Sequence, residues 1–473
     1  MSTPIDRASV GLRSERGPVL AALMLSTGLI AIDATILATA VPSIVRDLGS
    51  YQQFPWLFSV YLLAQAVSVP IYSRFADTVG RKPIILLGIA LFLLGSILCG
   101  LAWSMPALIA FRVVQGLGAG AVAPMSMTIV GDIYTVAERA KVQGYIASVW
   151  AVSSVVGPAL GGVFAQLDAW RWIFLINIPL CLLAAWVLLR RYKEQKQTQR
   201  HRIDYLGAVL LTVGLTGVIL GLLEGGNAWE WLSAPSALCF GAGIAALVLF
   251  ALVERRAPEP IVDLRLVSRR LILTTTLVSL GVGALMIGVT SFAPTYLEGS
   301  LGIVPLLSGL AVAALTLGWP IAAANVGRLY LRIGFRRTTL IGMSIASVAA
   351  IVLASVASWP NPYVLAVIAF VLGFGLGWSA APTLIAAQSS VEWGERGAVT
   401  GMNAFARSAG SAVGVAVFGA ISNAIISQGA GPDDPGTIVH ASVGVFIAVA
   451  VTALLTLLAA SFMPRDRVES YSG

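Results

Sequence analysis

Apolar stretches of about 20 residues, the length a helix needs to cross a bilayer, recur along the chain with short polar breaks between them. The pattern predicts spans at 18–41, 54–75, 83–103, 105–131, 141–165 and 172–190. Two more follow at 204–224 and 232–253, then six at 271–297, 304–326, 338–358, 361–387, 398–425 and 438–463. Two charged connectors, Arg190 to Arg202 and Glu254 to Arg270, divide them into six, two and six. The expected fold is an all-α membrane protein of fourteen transmembrane helices. It has a tail (1–17), a six-helix bundle (18–190), two linker helices with basic connectors (191–270), a second six-helix bundle (271–463) and a tail (464–473).

Composition agrees with this pattern. The chain is 58% hydrophobic and 11% charged, against roughly 25% charged for a soluble domain. A net charge of +8 does not point to nucleic acid, because the basic residues lie in the loops, as the positive-inside rule demands. With fourteen spans both termini share the cytoplasmic side. Arg74, Arg81, Lys82, Arg139, Lys141, Arg396, Arg465, Arg467, the two connectors and Arg328 to Arg337 then share it too. Only Arg46 and Arg171 fall on the other side, and Arg112 and Arg407 fall within spans. Pro18 to Val41 is too long for the apolar core of a signal peptide and reads as an uncleaved first span.

The turn Ser73-Arg74-Phe75-Ala76-Asp77-Thr78-Val79-Gly80-Arg81-Lys82 has a weaker copy at Gly327 to Arg337, and each joins the second and third spans of its half. Paired halves suggest a transporter that alternates around a site near the midplane. No Gly-x-x-x-x-Gly-Lys-Ser/Thr phosphate loop occurs, so the energy source is read as an ion gradient rather than ATP, with no cofactor. Cys99, Cys181 and Cys239 lie in apolar runs without metal or disulfide spacing. His201 and His440 lie in loops, and no nucleophile set suggests an enzyme.

Asp33 lies well inside the first span. A carboxylate there costs roughly 2.5–3.5 kcal/mol on insertion scales and faces a cavity or a partner. Burial disfavours its charged form, which suits uptake and release of a proton. A structural ion pair is the competing reading. Arg112, in the fourth span, also needs a partner, and Gln115, one turn on, can share its network.

Five motifs resemble those of the major facilitator superfamily, and of its fourteen-span drug:proton antiporter group in particular. They are Asp33-Ala34-Thr35-Ile36 through Pro42; Ser73 to Lys82; Leu108-x-x-x-Arg112-x-x-Gln115-Gly116-x-Gly118; Ser153-x-x-x-Gly157-Pro158-x-x-Gly161-Gly162; and Asp168-x-Trp170-Arg171-Trp172-Ile173-Phe174-x-Ile176-Asn177-x-Pro179. Departures are Ser73 and Ser153 for leading glycines, Ala38 for an asparagine, and Leu331 at the position of Asp77 in the second turn. The resemblance implies proton coupling through Asp33 and Arg112. It also implies a cytoplasmic gate at Asp77, Arg81 and Lys82, and close antiporter-type packing at Gly157, Pro158, Gly161 and Gly162.

Candidate cargo-cavity residues are Trp56, Tyr61, Gln65, Gln115, Trp150, Phe292, Trp378, Asn403 and Arg407, with Tyr296, Trp319, Phe374 and Phe405 beside them. A mostly apolar, aromatic cavity with one carboxylate favours lipophilic, often cationic molecules over sugars. The reading is a monomeric bacterial inner-membrane exporter of such compounds in exchange for protons, multi-pass with both termini cytoplasmic. The alternatives are a dedicated exporter of one metabolite or lipid, and an uptake symporter.

Overall fold

The structure is a computed structural model that describes residues 11–134, 136–194, 204–226, 228–257, 260, 264–391, 396–431 and 434–464. Inside its helices the side chains of Pro70, Ser73, Arg74, Asp77, Arg139, Lys141, Arg328 and Arg396, among others, lie outside the description. So do the second half of the 190–202 connector with His201, and Arg465 and Arg467.

The elements in order are α1 (Gly17–Leu48), a 3-10 turn (Tyr51–Gln53), α2 (Phe54–Val79), α3 (Arg81–Gly100), α4 (Met105–Ile133), α5 (Val136–Gln166), α6 (Trp172–Leu175) and α7 (Asn177–Arg191). Then follow α8 (Tyr205–Glu224), α9 (Ala234–Glu254), α10 (Leu264–Val267), α11 (Arg270–Leu301), α12 (Pro305–Ile333), α13 (Phe335–Val356), α14 (Pro362–Ser389), α15 (Arg396–Gln428) and α16 (Pro435–Ser461).

Among the described residues, 13 helices are long and apolar enough to cross a membrane. The helix at the expected second span, α2, has 26 residues but is not one of them. The expected sixth span is present as one candidate crossing, Trp172–Arg191, in which Ile176, between α6 and α7, keeps helical dihedrals.

Local chemistry sets several helix starts. Ser104 accepts the Ala107 amide at 3.3 Å, and Asp204 accepts the Gly207 amide at 2.7 Å. Asn361 accepts those of Tyr363 and Val364 at 3.0 and 3.1 Å. Each satisfies amides that the first helical turn leaves open, and proline follows at the start of α4 and α14.

The duplicated turns share one backbone device. Gly80, between α2 and α3, has φ 111° and ψ 158°, and Gly334, between α12 and α13, has φ 87° and ψ 163°. Side chains disfavour that region, so the sharp reversal calls for glycine in both copies.

The helices pack as two sets, α1–α7 and α11–α16. The hairpin of α8 and α9 lies against α2 and α15. Basic residues of each set gather at one end. Arg16 donates to the Ile133 carbonyl, Lys82 to those of Leu189 and Tyr192, Arg270 to that of Phe462 and Arg336 to that of Ser461.

Away from this basic end the two sets close on each other. A single apolar cluster there holds Ile36, Val41, Phe54 and Leu57 of the first set with Phe292, Tyr296 and Phe418 of the second. Ser59 donates to the Ala412 carbonyl at 3.3 Å, and Asn423 to that of Gln52 at 3.0 Å. Toward the basic end the apolar clusters separate. One contains Leu20, Ile85, Ile129 and Leu188 of the first set, and another Ile272, Val399 and Met402 of the second.

Candidate functional site

Asp33, midway along α1, is 1% exposed, as is Arg112 on α4. Their shortest contact, Arg112 Nη1 to Asp33 Oδ2, is 2.8 Å. A carboxylate and a guanidinium this far from solvent hold together only if further hydrogen bonds serve their remaining donors and acceptors, and several do. Arg112 Nε donates to the Leu57 carbonyl of α2 at 3.1 Å, and Nη1 to Gln115 Oε1 at 2.6 Å. The guanidinium lies 4.0 Å from the Tyr61 ring centre, a cation–π contact in a dry site. Gln115 Nε2 donates to Asp33 Oδ1 and to Ser96 Oγ on α3, each at 2.9 Å. Asn177 Nδ2, at the start of α7, donates to the same Ser96 oxygen at 3.2 Å.

Five helices therefore converge on one carboxylate. Glycines permit this convergence: a Cβ on Gly95 would lie 2.5 Å from the Gln115 nitrogen, and one on Gly116 2.5 Å from the Tyr61 carbonyl oxygen.

Asp33 and Arg112 are thus joined, and two residues named as cargo candidates belong to their network. Gln115 is fully enclosed and bonded to both, and Tyr61 stacks on Arg112. Two other cargo candidates are spent on packing. Trp56 donates to Glu224 of α8 at 2.8 Å. Phe292 is wedged between Phe54 (5.4 Å) and Phe418 (6.5 Å) in the seal between the sets. Tyr296, similarly enclosed, donates to the Ala357 carbonyl at 2.8 Å.

Gln65, Trp319, Phe374, Trp378 and Phe405 are half-buried, and Trp150 is exposed. The Trp378 and Phe374 ring centres lie 4.9 Å apart, tilted at 49°, and the Trp378 indole N–H has no hydrogen-bond partner among the described residues. Asn403 accepts from Ser279 at 2.5 Å and donates to the Val399 carbonyl. Arg407 is exposed within α15.

At the basic turn, Arg81 Nε lies 3.2 Å from Asp132 of α4. The backbone amides of Arg81 and Lys82 both donate to the carboxylate of Glu194, which follows α7. Asp77 lies outside the described side chains. In the second turn the residue at its position, Leu331, is exposed.

The α5 glycines face two ways. Gly157 sits against Thr35 and Gly161 against Thr39 of α1, whereas Gly162 sits against the Leu306 backbone of α12. The Pro158 carbonyl abuts Gly309, also of α12.

Ser96, Asn177, Glu194 and Glu224 were not legible as site residues. Asn177 alone carried a signal, as a polar residue in an otherwise apolar motif.

The pattern of the Major Facilitator Superfamily matches residues 23–415. The chain belongs to that superfamily.

Relatives within the superfamily include Multidrug resistance protein 3 of Bacillus subtilis (strain 168), 32% identical over 410 residues. The match covers 87% of this chain and 80% of that one. Multidrug transporter protein MdtP of the same strain is 31% identical over 414 residues, covering 88% and 76%. Efflux pump FUS6 of Gibberella fujikuroi is 32% identical over 433 residues, covering 87% and 76%. Among solved structures, a peptide transporter POT in complex with sulfate aligns with a TM-score of 0.69 at 17% identity, covering 97% and 99%. A D-xylose-proton symporter aligns with 0.66 at 13%, covering 96% and 100%. At such identities these two bear on the fold alone. The chain is accordingly a multi-pass membrane protein with the Major Facilitator architecture.

Proposed function

We propose that this protein exports lipophilic, often cationic compounds in exchange for protons, as a member of the fourteen-span drug:proton antiporter group. The observation that carries the reading is the enclosed Asp33–Arg112 pair. One carboxylate oxygen pair cannot hold a proton and keep its full bond to the guanidinium. Proton uptake therefore loosens Arg112, and with it the α2 backbone at Leu57 and the ring of Tyr61. That links protonation to the relative positions of α1, α2 and α4, which is what an alternating-access exchanger requires. Relatives named for multidrug resistance and efflux support the cargo class.

In this reading the basic end is cytoplasmic and both termini lie there. The arrangement described, sealed at the far end, is then the cytoplasm-facing state. Cargo enters between the two sets, along Gln65, Trp150, Trp378, Asn403 and Arg407. Asp77, Arg81 and Lys82 form the gate turn that closes behind it, and the chain works as a monomer.

The test is transport in proteoliposomes under an imposed pH gradient, with a panel of lipophilic cationic dyes and unrelated metabolites. Wild type should concentrate several dyes that compete with one another, and Asp33→Asn should lose gradient-driven transport while expressing normally. Wild-type rates in Asp33→Asn would overturn the coupling. Transport of a single metabolite alone would replace the multidrug reading.

A further inference from the structure

We propose that Ser96 and Asn177 are positioning residues that set the protonation of Asp33 through the Gln115 amide. The inference rests on reading Asp33 as the proton site. A guanidinium can only donate, so Arg112 Nη1, 2.6 Å from Gln115, fixes that atom of the amide as its oxygen. The amide nitrogen must then face the other way, where it reaches Asp33 Oδ1 and Ser96 Oγ. Asn177 Nδ2 occupies the second lone pair of the same Ser96 oxygen.

This arrangement has a definite preference. In the ionised form Asp33 Oδ1 accepts from the Gln115 N–H and Oδ2 from Arg112. A proton on either oxygen weakens the bond that oxygen accepts. Proton uptake is therefore eased when the Gln115 amide turns or Arg112 withdraws. Ser96, oriented by Asn177, resists the first by giving the amide nitrogen a second acceptor on the Asp33 side.

Ser96 cannot drift from this post. Neighbouring Gly95 brings the α3 and α4 backbones into direct contact beside Gln115, and Ser96 and Asn177 are 0% and 1% exposed. Asn177 sits near the start of α7, and its amide reaches Ser96 at this level. The other titratable groups around Asp33 are Arg112 on α4, Tyr61 on α2, Cys99 on α3 and Cys181 on α7. Among the described residues none of them hydrogen-bonds Ser96 or Asn177.

Infrared difference spectra of the purified protein can follow the protonated carboxyl of Asp33, assigned as the band lost in Asp33→Asn, through a pH titration. Ser96→Ala and Asn177→Leu should each move its midpoint by ~0.5–1 pH unit, the linkage of about one hydrogen bond. Ser96→Thr, which keeps the hydroxyl, should stay near wild type. If one variant does not fold, the other decides. An unmoved midpoint, or no Asp33 band in wild type, overturns the proposal. The readout needs no transport, so failure of drug export would defeat the functional reading while leaving this titration to give its own answer.

Discussion

Among single residues, the Asp33–Arg112 pair carries the largest energetic stake. Removing one partner of an enclosed pair leaves an uncompensated charge and costs roughly 3–5 kcal/mol. Arg112→Leu should therefore lower thermal stability in detergent sharply. The double variant Asp33→Asn/Arg112→Leu should recover part of the loss, because no buried charge remains. A double variant no more stable than the single would show that the pair is not coupled. Both residues were legible because charges inside apolar runs are conspicuous. Their partners were not: Ser96 looks like any small residue of a packed helix, and Trp56 like any cavity aromatic until Glu224 of a distant helix claims it. Partner choice between spans is a matter of rotation and depth, which local pattern does not encode.

Helices and turns respond to geometry that glycine permits. Gly162 and Gly309 let α5 and α12 touch across the two sets. A bulky side chain there, as in Gly162→Leu or Gly309→Leu, should wedge the seal apart. Spin labels on the 3-10 turn and the end of α15 should then report longer distances than in wild type. The motif containing Gly162 was visible in the chain, but its division between α1 and α12 was not.

The twin turns make a second test. Alanine at Gly334 should cost roughly 1–3 kcal/mol for its positive-φ extended backbone. Gly80→Ala should cost more, since its Cβ would also lie 2.6 Å from the Glu194 carboxylate. Thermal unfolding of the two variants gives the order.

At the start of α16, the Thr437 hydroxyl and then its amide hold the Asp434 carboxyl below its ordinary value of 3.8. A depressed folded-state value means that this cap stabilises above the unfolded value and fades as pH falls through the folded one. Asp434→Ala should therefore lose stability near neutral pH, and the gap from wild type should narrow in acid.

For the whole molecule, the two arginines that break the one-sided charge pattern each lie beside a carboxylate. Arg46 lies 3.5 Å from Asp168, and Arg171 2.7 Å from Asp47. The proposed orientation, with the basic end inside, can be tested directly. Single cysteines at Glu230 and Arg191, in a background without native cysteines, should react with impermeant maleimide from opposite sides of intact cells, Glu230→Cys from outside. The reverse pattern would invert the topology and the direction of transport with it.

Apolar period, span length and the placement of Lys and Arg determined, from the chain alone, that this is a duplicated helical membrane protein with three charges, Asp33, Arg112 and Arg407, inside its spans. Those features are local or additive, so counting along the sequence recovers them. Tertiary structure alone decided that Asp33 and Arg112 meet, that Gln115 and Tyr61 serve them, and that Phe292 plugs one end. It also decided that the sets share one apolar cluster at that end and hold separate ones toward the basic end. Each of these depends on which face of one helix meets which face of another, and lipid-spanning helices, apolar on nearly every face, leave that choice to small residues and buried polar groups that are read only once they are packed.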